Sequence, residues 1–406
     1  MANEKITETL EFLTQIHTSW NNTEQRLALR TYPRRFLSYD YIGTNSSQSQ
    51  YLRALLYARQ TEQIEIPLWH AGCPLPESTY LGQTQVNLKP AYLWPYRGCR
   101  GAILWFNDQI GGDRYVLQQL LGDGTLKLNE QIESVYLRAR TTVYPVAYAV
   151  LQQEDQYSLY SSEAMSMQFN LELMTNESTM PIPEALDEFH EEAWQTKNPW
   201  QDALPDQYLG VELFRIGPSW TGDIAASFAR NANKLDNQSG VSQYDLKGPY
   251  TSETKEIEYL GFSRSEVYNL QRFFCRCKGR LKSFYAPTWL SDMVLAEDAT
   301  AGQGYLLVEW SMFWKYYAGL TRRRTIVLFM KNQTTLILTI AGFTTSDDGE
   351  LGKVVLDNNL KRMVRKADVA MISFLCRYRH DSDSMTTNYD AVDLASTTFS
   401  LAEVNA

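Results

Sequence analysis

The sequence contains few of the side chains that most often perform catalysis at neutral pH. It has only four histidines, and none of them belongs to a His-Glu-x-x-His motif. It also lacks a Gly-x-Ser-x-Gly nucleophile elbow and a glycine-rich phosphate-binding loop. These absences disfavour a zinc protease, a serine hydrolase and a nucleotide-dependent enzyme. We therefore predict that the protein is not an enzyme and has no catalytic residue, cofactor or metal site.

Three of the histidines have neighbours that deserve a second interpretation. His70 lies close to Cys73, so a catalytic Cys–His pair is the alternative to a plain loop after a strand. His190 precedes two glutamates but has no second histidine at i+4, which indicates a solvated side chain and not a metal ligand. His380 follows an apolar stretch and precedes a polar loop, which is typical of a hairpin tip.

Cysteine is also scarce. The five cysteines are an odd number without a secretion signal, which argues against a disulfide framework. Cys275 and Cys277 are too close together for a Cys-x-x-Cys pair. A metal or iron–sulfur site would therefore need Cys73, Cys99 and Cys376 to converge on them. We expect buried free thiols instead.

The chain has neither an excess of positive charge nor a long apolar run. Its 38 basic and 47 acidic residues give a net charge of −9, which disfavours nonspecific binding to nucleic acid. We expect the basic clusters at 276–280 and 322–324 to face solvent or an acidic protein. The segment from Met1 to Gln15 has no apolar signal core, and no run approaches the roughly 20 residues that span a membrane. The expectation is a soluble protein made in the cytoplasm.

Aromatic residues, in contrast, are abundant. The 25 tyrosines and 10 tryptophans favour strands and wet interfaces. Short alternating segments separated by turns are typical of sandwiches and barrels, so we predict a mainly β fold with a few helices. One helix is predicted at the N-terminus, where Ile6, Leu10, Leu13 and Ile16 have helical spacing over residues 5–19.

Two stretches of the chain share one order of features: strand, helix, strand, Pro-x-Trp. The first has a strand over 36–42, a helix from about Gln50 to Arg59 capped by Ser47 or Ser49, a strand over 64–66, and Pro67-Leu68-Trp69. The second has a strand over 257–260, a helix opened by a Ser263–Glu266 capping box, a strand over 284–286, and Pro287-Thr288-Trp289. Helix positions Leu52, Leu55 and Leu56 match Leu270, Phe273 and Phe274.

The correspondence continues downstream and predicts an internal duplication. Paired segments are 102–106 with 325–329, 126–128 with 354–356, 144–151 with 367–375, and 167–171 with 398–401. The predicted organisation is an N-terminal arm at 1–25, a first β-rich repeat at 26–175, an extended connector with short strands at 176–254, and a second repeat at 255–406. Within the connector we expect a short helix over 184–194, a strand over 210–214, and turns over 232–248.

Several motifs in this order resemble a known family. They are Glu24 to Arg35 followed by Ile66 to Trp69; Gly261 to Arg264 followed by Gly279-Arg280, Phe284, Pro287 to Trp289 and Asp292 to Leu295; Gly217 to Trp220; Leu235 to Gly240; and Phe399 to Val404. Together they resemble tail-tip (baseplate) proteins of long-tailed bacteriophages with flexible tails. The resemblance extends over nearly the whole chain.

The resemblance implies a structural role in the virion. Such a protein joins the tail tube to the central fibre or to host-contacting parts, as a hub or adaptor in a threefold or sixfold homo-oligomeric ring. The partners would be other tail proteins, without a specific nucleic-acid site. Some related proteins hold an iron–sulfur cluster on four clustered cysteines, but this chain lacks that clustering.

Two other functions remain as alternatives. A receptor- or carbohydrate-binding tail module would use exposed aromatics such as Trp194, Trp200 and Tyr208 to stack on sugars. A tail-associated hydrolase would use His70 and Cys73.

Overall fold

The structure is a computed structural model. It describes residues 6–19, 23–59, 62–89, 92–96, 99, 101–106, 112–121, 123–152, 157–174, 206–220, 222–309, 322–347, 349–391 and 393–404. Within these ranges the chain forms twenty-five strands and two α-helices. The mainly β fold predicted from the sequence is confirmed. Neither described helix is both long and apolar enough to cross a membrane.

The strands before the middle of the chain are β1 Ile6–Glu11, β2 Thr14–Thr18, β3 Glu24–Ala28, β4 Arg34–Gly43, β5 Ile64–Pro67, β6 Cys73–Pro74, β7 Gln85–Asn87, β8 Gly101–Phe106, β9 Gly112–Leu120, β10 Thr125–Leu128, β11 Thr141–Leu151, β12 Tyr157–Leu159 and β13 Met165–Leu173. Helix α1, Ser46–Arg59, lies between β4 and β5. We call this part, up to β13, the N-terminal half.

The remaining strands are β14 Gln207–Tyr208, β15 Val211–Glu212, β16 Ala225–Leu235, β17 Gln243–Gly261, β18 Ser283–Pro287, β19 Tyr305–Val308, β20 Thr325–Met330, β21 Thr335–Thr345, β22 Gly352–Leu356, β23 Val369–His380, β24 Ser384–Ala391 and β25 Leu394–Glu403. Helix α2, Arg264–Cys277, lies between β17 and β18. We call this part the C-terminal half.

The two halves pair their strands in the same order. In the N-terminal half β4 pairs with β13, β11 pairs with both β5 and β8, and β8, β9, β10 and β7 follow one another. In the C-terminal half β17 pairs with β25, β23 pairs with both β18 and β20, and β20, β21, β22 and β19 follow one another. All these pairs are antiparallel. Duplication as the origin of this arrangement stays a prediction.

Strand β1 joins the two halves. It pairs along one edge with β4 of the N-terminal half and along the other with β24 of the C-terminal half. The strand was predicted to be part of an amphipathic helix, and that prediction is wrong. Its inward residues alternate, with Glu8 and Leu10 buried and Thr7 and Thr9 on the opposite face. A charged residue at an inward position hides the period of two, so the apolar residues alone mimic helical spacing.

Each half has a core of its own. In the C-terminal half α2 buries Val267, Leu270, Phe273 and Phe274, as predicted. Phe273 stacks on Phe214 at 4.2 Å between ring centroids and meets Phe284 edge to face at 4.8 Å. Buried aromatic pairs of this kind stabilise the packing of the helix by more than the burial of their apolar surface alone would give.

The N-terminal cap of α2 is the predicted residue, whereas that of α1 is a different one. The Ser263 hydroxyl accepts a hydrogen bond from the Glu266 backbone N–H at 3.4 Å, as predicted, although the Glu266 carboxylate accepts from Phe262 N–H and not from the cap itself. Helix α1 begins earlier than predicted, at Ser46. The Asn45 side chain accepts from Gln48 N–H at 2.9 Å, so Asn45 takes the capping role assigned to Ser47 or Ser49.

A long hairpin replaces the turns predicted over 232–248. Strands β16 and β17 pair from Ala225–Glu256 to Leu235–Gln243, and only residues 236–242 form the connecting loop. Much of this hairpin is exposed, and residues 232–248 are rich in Asn, Asp and Gly. The sequence therefore shows no alternation of buried and exposed residues that would predict a strand. Of the strand predicted at 210–214, only the two residues of β15, Val211–Glu212, are in a strand. The helix predicted over 184–194 lies outside the described residues.

Candidate functional site

A group of polar side chains is buried where the two halves meet. We call Glu8, Arg35, His70, Gln271 and Tyr389 the junction cluster. Every member is at most 5% exposed. The five residues come from β1, β4, the short 3-10 helix Trp69–Ala71 after β5, α2 and β24, so both halves contribute.

The carboxylate of Glu8 is the centre of this cluster. Arg35 donates from Nε to Oε1, forming a buried ion pair. Gln271 donates from Nε2 to Oε2 at 3.0 Å, and the Tyr389 hydroxyl donates to the same oxygen at 2.8 Å. Two buried charges are tolerated only when they are paired and their remaining hydrogen-bonding capacity is used. Glu8 meets both conditions with partners from both halves.

Gln271 extends the network to neighbouring elements. Its side-chain oxygen accepts a hydrogen bond from Trp94 Nε1 at 3.2 Å, and its amide nitrogen lies 3.4 Å from the Thr387 hydroxyl. Trp94 belongs to the N-terminal half and also packs in an apolar group with Val267 and Tyr268 of α2. The helix of one half is therefore held against the other half by both polar and apolar contacts.

His70 lies against the same carboxylate without forming a hydrogen bond to it. Its Nε2 is 3.6 Å from Glu8 Oε2, and its Nδ1 is 3.5 Å from the Tyr39 hydroxyl. The His70 ring packs on Tyr389 with 4.6 Å between centroids. Burial lowers the pKa of His70 to about 4, and the opposing effect of Glu8 is smaller. The ring is therefore uncharged at neutral pH, and its contact with Glu8 is not an ion pair.

The ionisation of Glu8 is set by its partners. Burial raises the pKa of its carboxyl, but Arg35, His70 and the hydrogen bonds from Tyr389 and Gln271 outweigh burial and bring the pKa to about 2. Burial lowers the pKa of Arg35, and Glu8 more than reverses this, so the Arg35 pKa is raised. The pair is therefore charged at neutral pH. A fully ionised carboxylate with three hydrogen-bond donors is unsuited to accept a proton from a substrate.

A second buried ionic group lies inside the C-terminal half. Lys255 Nζ is 3.3 Å from Glu253 and donates to the Thr288 carbonyl at 2.9 Å. Arg323 is 3.1 Å from Glu403 and 3.7 Å from Glu253. Glu253 and Lys255 lie on β17 and Glu403 lies on β25, and these two strands pair, so the group holds together the sheet of the C-terminal half.

The basic clusters were expected to face solvent or an acidic protein, and the structure corrects this at two residues. Arg323 is mostly buried and pairs with Glu403 and Glu253 of its own chain. Arg276 binds Glu212, with Nη2 2.6 Å from Oε1. These charges serve internal packing.

The candidate Cys–His pair does not form. His70 contacts Glu8, Tyr39 and Tyr389, whereas the Cys73 thiol donates to the Pro74 carbonyl at 3.4 Å. Burial raises the pKa of Cys73 to about 11, which leaves the thiol protonated and unreactive. A hydrolase built on these residues is therefore disfavoured.

The remaining sequence-based candidates have ordinary surroundings. All five cysteines are free; four are buried and Cys99 is partly buried, which confirms the expected free thiols. In the described ranges, no three His, Cys, Asp or Glu side chains are grouped to hold a metal ion. His380 is buried against Phe273 and Phe284 at the end of β23. The hairpin tip predicted there is wrong: residues 381–383 connect β23 to β24, and in the described residues these two strands pair with other strands and not with each other. His190 lies outside the described residues.

The aromatic residues proposed to stack on sugars have a similar outcome. The Tyr208 hydroxyl lies 3.3 Å from Thr325 and 3.2 Å from Thr339, and its ring meets Tyr285 edge to face at 5.1 Å. Tyr208 is therefore used within the chain. Trp194 and Trp200 lie outside the described residues.

Sequence reasoning missed the junction cluster because its members are far apart in the chain. Glu8 and Tyr389 are 381 positions apart, and neither belongs to a recognisable motif. One signal was available: Ile6, Glu8 and Leu10 alternate with three threonine or glutamate residues, which favours a strand with a charged inward residue.

A comparison with protein-family models gives no match for the chain, and neither does a comparison with curated proteins.

Proposed function

We propose that this chain is a structural component of the tail tip of a long-tailed bacteriophage, where it forms a homo-oligomeric ring or hub between the tail tube and the central fibre or host-contacting parts. The chain would act in the virion as a non-catalytic building block made in the host cytoplasm. Two copies of one ancestral β unit would account for the shared pairing order of the halves.

The observation that carries this proposal is the way the halves are joined. They meet edge to edge through β1, and buried groups from both halves satisfy Glu8. Breaking one side of a buried ion pair costs about 3–5 kcal/mol, so a joint of this kind resists separation. A rigid double unit suits a part that transmits force between tube and fibre.

The chemistry of the site also favours an assembly role over catalysis. The junction cluster is closed to solvent, its carboxylate is saturated with donors, and the Cys73 thiol is protonated. A substrate would have no route to these groups without separating the halves.

Electron microscopy of virions tests the proposal. A tagged chain is incorporated into phage particles, and the tag is located with gold-conjugated antibody. Label confined to the tail end far from the capsid supports the proposal, whereas label along the tube, on the capsid or absent from particles overturns it.

Two further assays address the alternative functions. Retention of the isolated protein on host cell envelopes would favour the receptor- or carbohydrate-binding module. Clearing on a peptidoglycan zymogram that is lost in His70→Ala and Cys73→Ala variants would favour the hydrolase. We expect neither result.

A further inference from the structure

Eight strands of the chain form one antiparallel row. Their order is β12, β13, β4, β1, β24, β25, β17, β16. Four come from the N-terminal half and four from the C-terminal half, and the β1–β24 pair joins the two sets. In the described part of the chain, β12 and β16 end the row, because each pairs with one strand only.

The two strands at the ends correspond to the two strands at the joint. β12 pairs with β13 as β24 pairs with β25, and β16 pairs with β17 as β1 pairs with β4. The N-terminal half therefore ends in the counterpart of β24, and the C-terminal half ends in the counterpart of β1. The row has two unlike ends that match each other as β24 and β1 do.

The composition of the end strands indicates that they are covered. Natural edge strands are usually protected by charged residues or proline against pairing with other chains. Residues 157–160 contain neither. β16 has Arg230 and Lys234 in its second half, but residues 224–229 contain no charged residue and no proline. Instead they expose large apolar side chains: Phe228 is 67% exposed, Leu159 62% and Tyr160 69%. Uncharged, apolar edges of this kind are templates for strand addition.

We propose that β16 of one copy of this chain pairs antiparallel with β12 of a second copy, repeating the β1–β24 joint between chains. The inference deepens the ring-forming role proposed above and rests on it. The contact is heterologous, since one edge meets a different edge. Successive copies therefore add head to tail, and the proposed ring is the assembly in which the last copy pairs with the first.

The internal joint also supplies a register. Glu8 lies opposite Leu37, six residues before Gly43, and Ala226 lies opposite Lys255, six residues before Gly261. Ala226 is thus the counterpart of Glu8, since each glycine ends its strand and precedes a helix.

The same comparison applies to the other side of the joint. Thr387 lies opposite Thr397, two residues after Ala395, which pairs with Gly261. Tyr157 lies opposite Met167, two residues after Met165, which pairs with Gly43. Because Glu8 pairs with Thr387, Ala226 of one copy is expected to lie opposite Tyr157 of the next. This places a small side chain opposite a large one.

Complementation between two blocked variants tests the proposal. Ala226→Lys places a charge on the β16 edge and leaves β12 intact, whereas Tyr157→Lys blocks β12 and leaves β16 intact. Light scattering after size-exclusion chromatography should find an assembly for the wild type, a monomer for each variant alone, and a one-to-one dimer for their mixture. A matched Val241→Lys variant at the exposed hairpin loop should assemble as the wild type does. Circular dichroism should show all variants folded.

Other outcomes contradict the proposal. A wild type that stays monomeric at every concentration overturns it, as does assembly of either blocked variant alone, which would indicate pairing of like edges.

A disulfide test does not depend on blocked variants. After oxidation, the Ala226→Cys/Tyr157→Cys double variant should form a series of disulfide-linked oligomers, whereas the Val241→Cys/Tyr157→Cys double variant should not. If the copies form a ring by this pairing but the gold label lies away from the tail tip, the proposed function is refuted and the proposed strand pairing stands.

Discussion

The Glu8 carboxylate accepts a hydrogen bond from Gln271 at 3.0 Å, although the two residues lie 263 positions apart and in different halves. The same carboxylate binds Arg35 of the N-terminal half. One buried charge in the first strand thus depends on both halves at once. A single substitution at Glu8 is expected to affect the joint as a whole.

We expect Glu8→Gln to destabilise the protein by about 3–5 kcal/mol, because it leaves the buried Arg35 guanidinium without a counter-charge. The measurement is the midpoint of urea unfolding followed by tryptophan fluorescence. Glu11→Gln on the same strand is the matched control. Glu11 pairs with Arg30 at 3.7 Å near the surface, so its loss should cost about 0–1 kcal/mol. Equal effects of the two variants would contradict a central role for Glu8.

Acid should destabilise the protein in two overlapping stages. The pKa of His70 is about 4 when folded against an ordinary value of 6.5, so the unfolded chain binds more protons between these values and stability falls as pH drops through them. The pKa of Glu8 is about 2 when folded against 4.5, so its contribution is complete above pH 4.5 and is lost as pH falls toward 2.

The measurement for this prediction is the thermal midpoint between pH 7 and pH 4. His70→Gln should make the midpoint fall less steeply over that range, because the variant removes a group that the folded protein holds uncharged. The exposed His17→Gln should keep the wild-type slope. A wild-type midpoint that does not change from pH 7 to pH 4 would refute the assignment.

Residues with local signals were predicted well. The strand at 325–329, α2 with its Ser263 cap and the buried Phe273 follow from alternation, capping chemistry and helical spacing, all of which lie within a few neighbouring residues. The failures are tertiary. β1 was taken for part of a helix because its inward Glu8 is stabilised by residues distant in the chain. Residues 232–248 of the β16–β17 hairpin are mostly polar and carry no alternation, so they were taken for turns.

The core of the C-terminal half should depend strongly on Phe273. Its ring contacts Phe214, Phe284, Phe399 and His380, so Phe273→Ala removes many contacts and leaves a cavity. The expected cost is about 3–5 kcal/mol, measured by urea unfolding. Phe262→Ala is the control. Phe262 is 71% exposed just before α2, and its loss should change stability by less than about 0.5 kcal/mol. An equal loss of stability in Phe273→Ala and Phe262→Ala would contradict a central role for Phe273 in this core.

The five cysteines should be unreactive in the native protein. Burial raises the pKa of Cys73 to about 11 and of Cys99, Cys275 and Cys376 to about 12, and it raises the pKa of Cys277 well above the ordinary value of a thiol. The thiolate is the reactive form, so labelling by a disulfide reagent at pH 8 should be slow for the folded chain and should reach five thiols per chain in urea. A Val241→Cys variant, with its side chain almost fully exposed, should gain one rapidly labelled thiol. Rapid labelling of the wild type in its folded state would show that at least one of the five thiols is open to solvent.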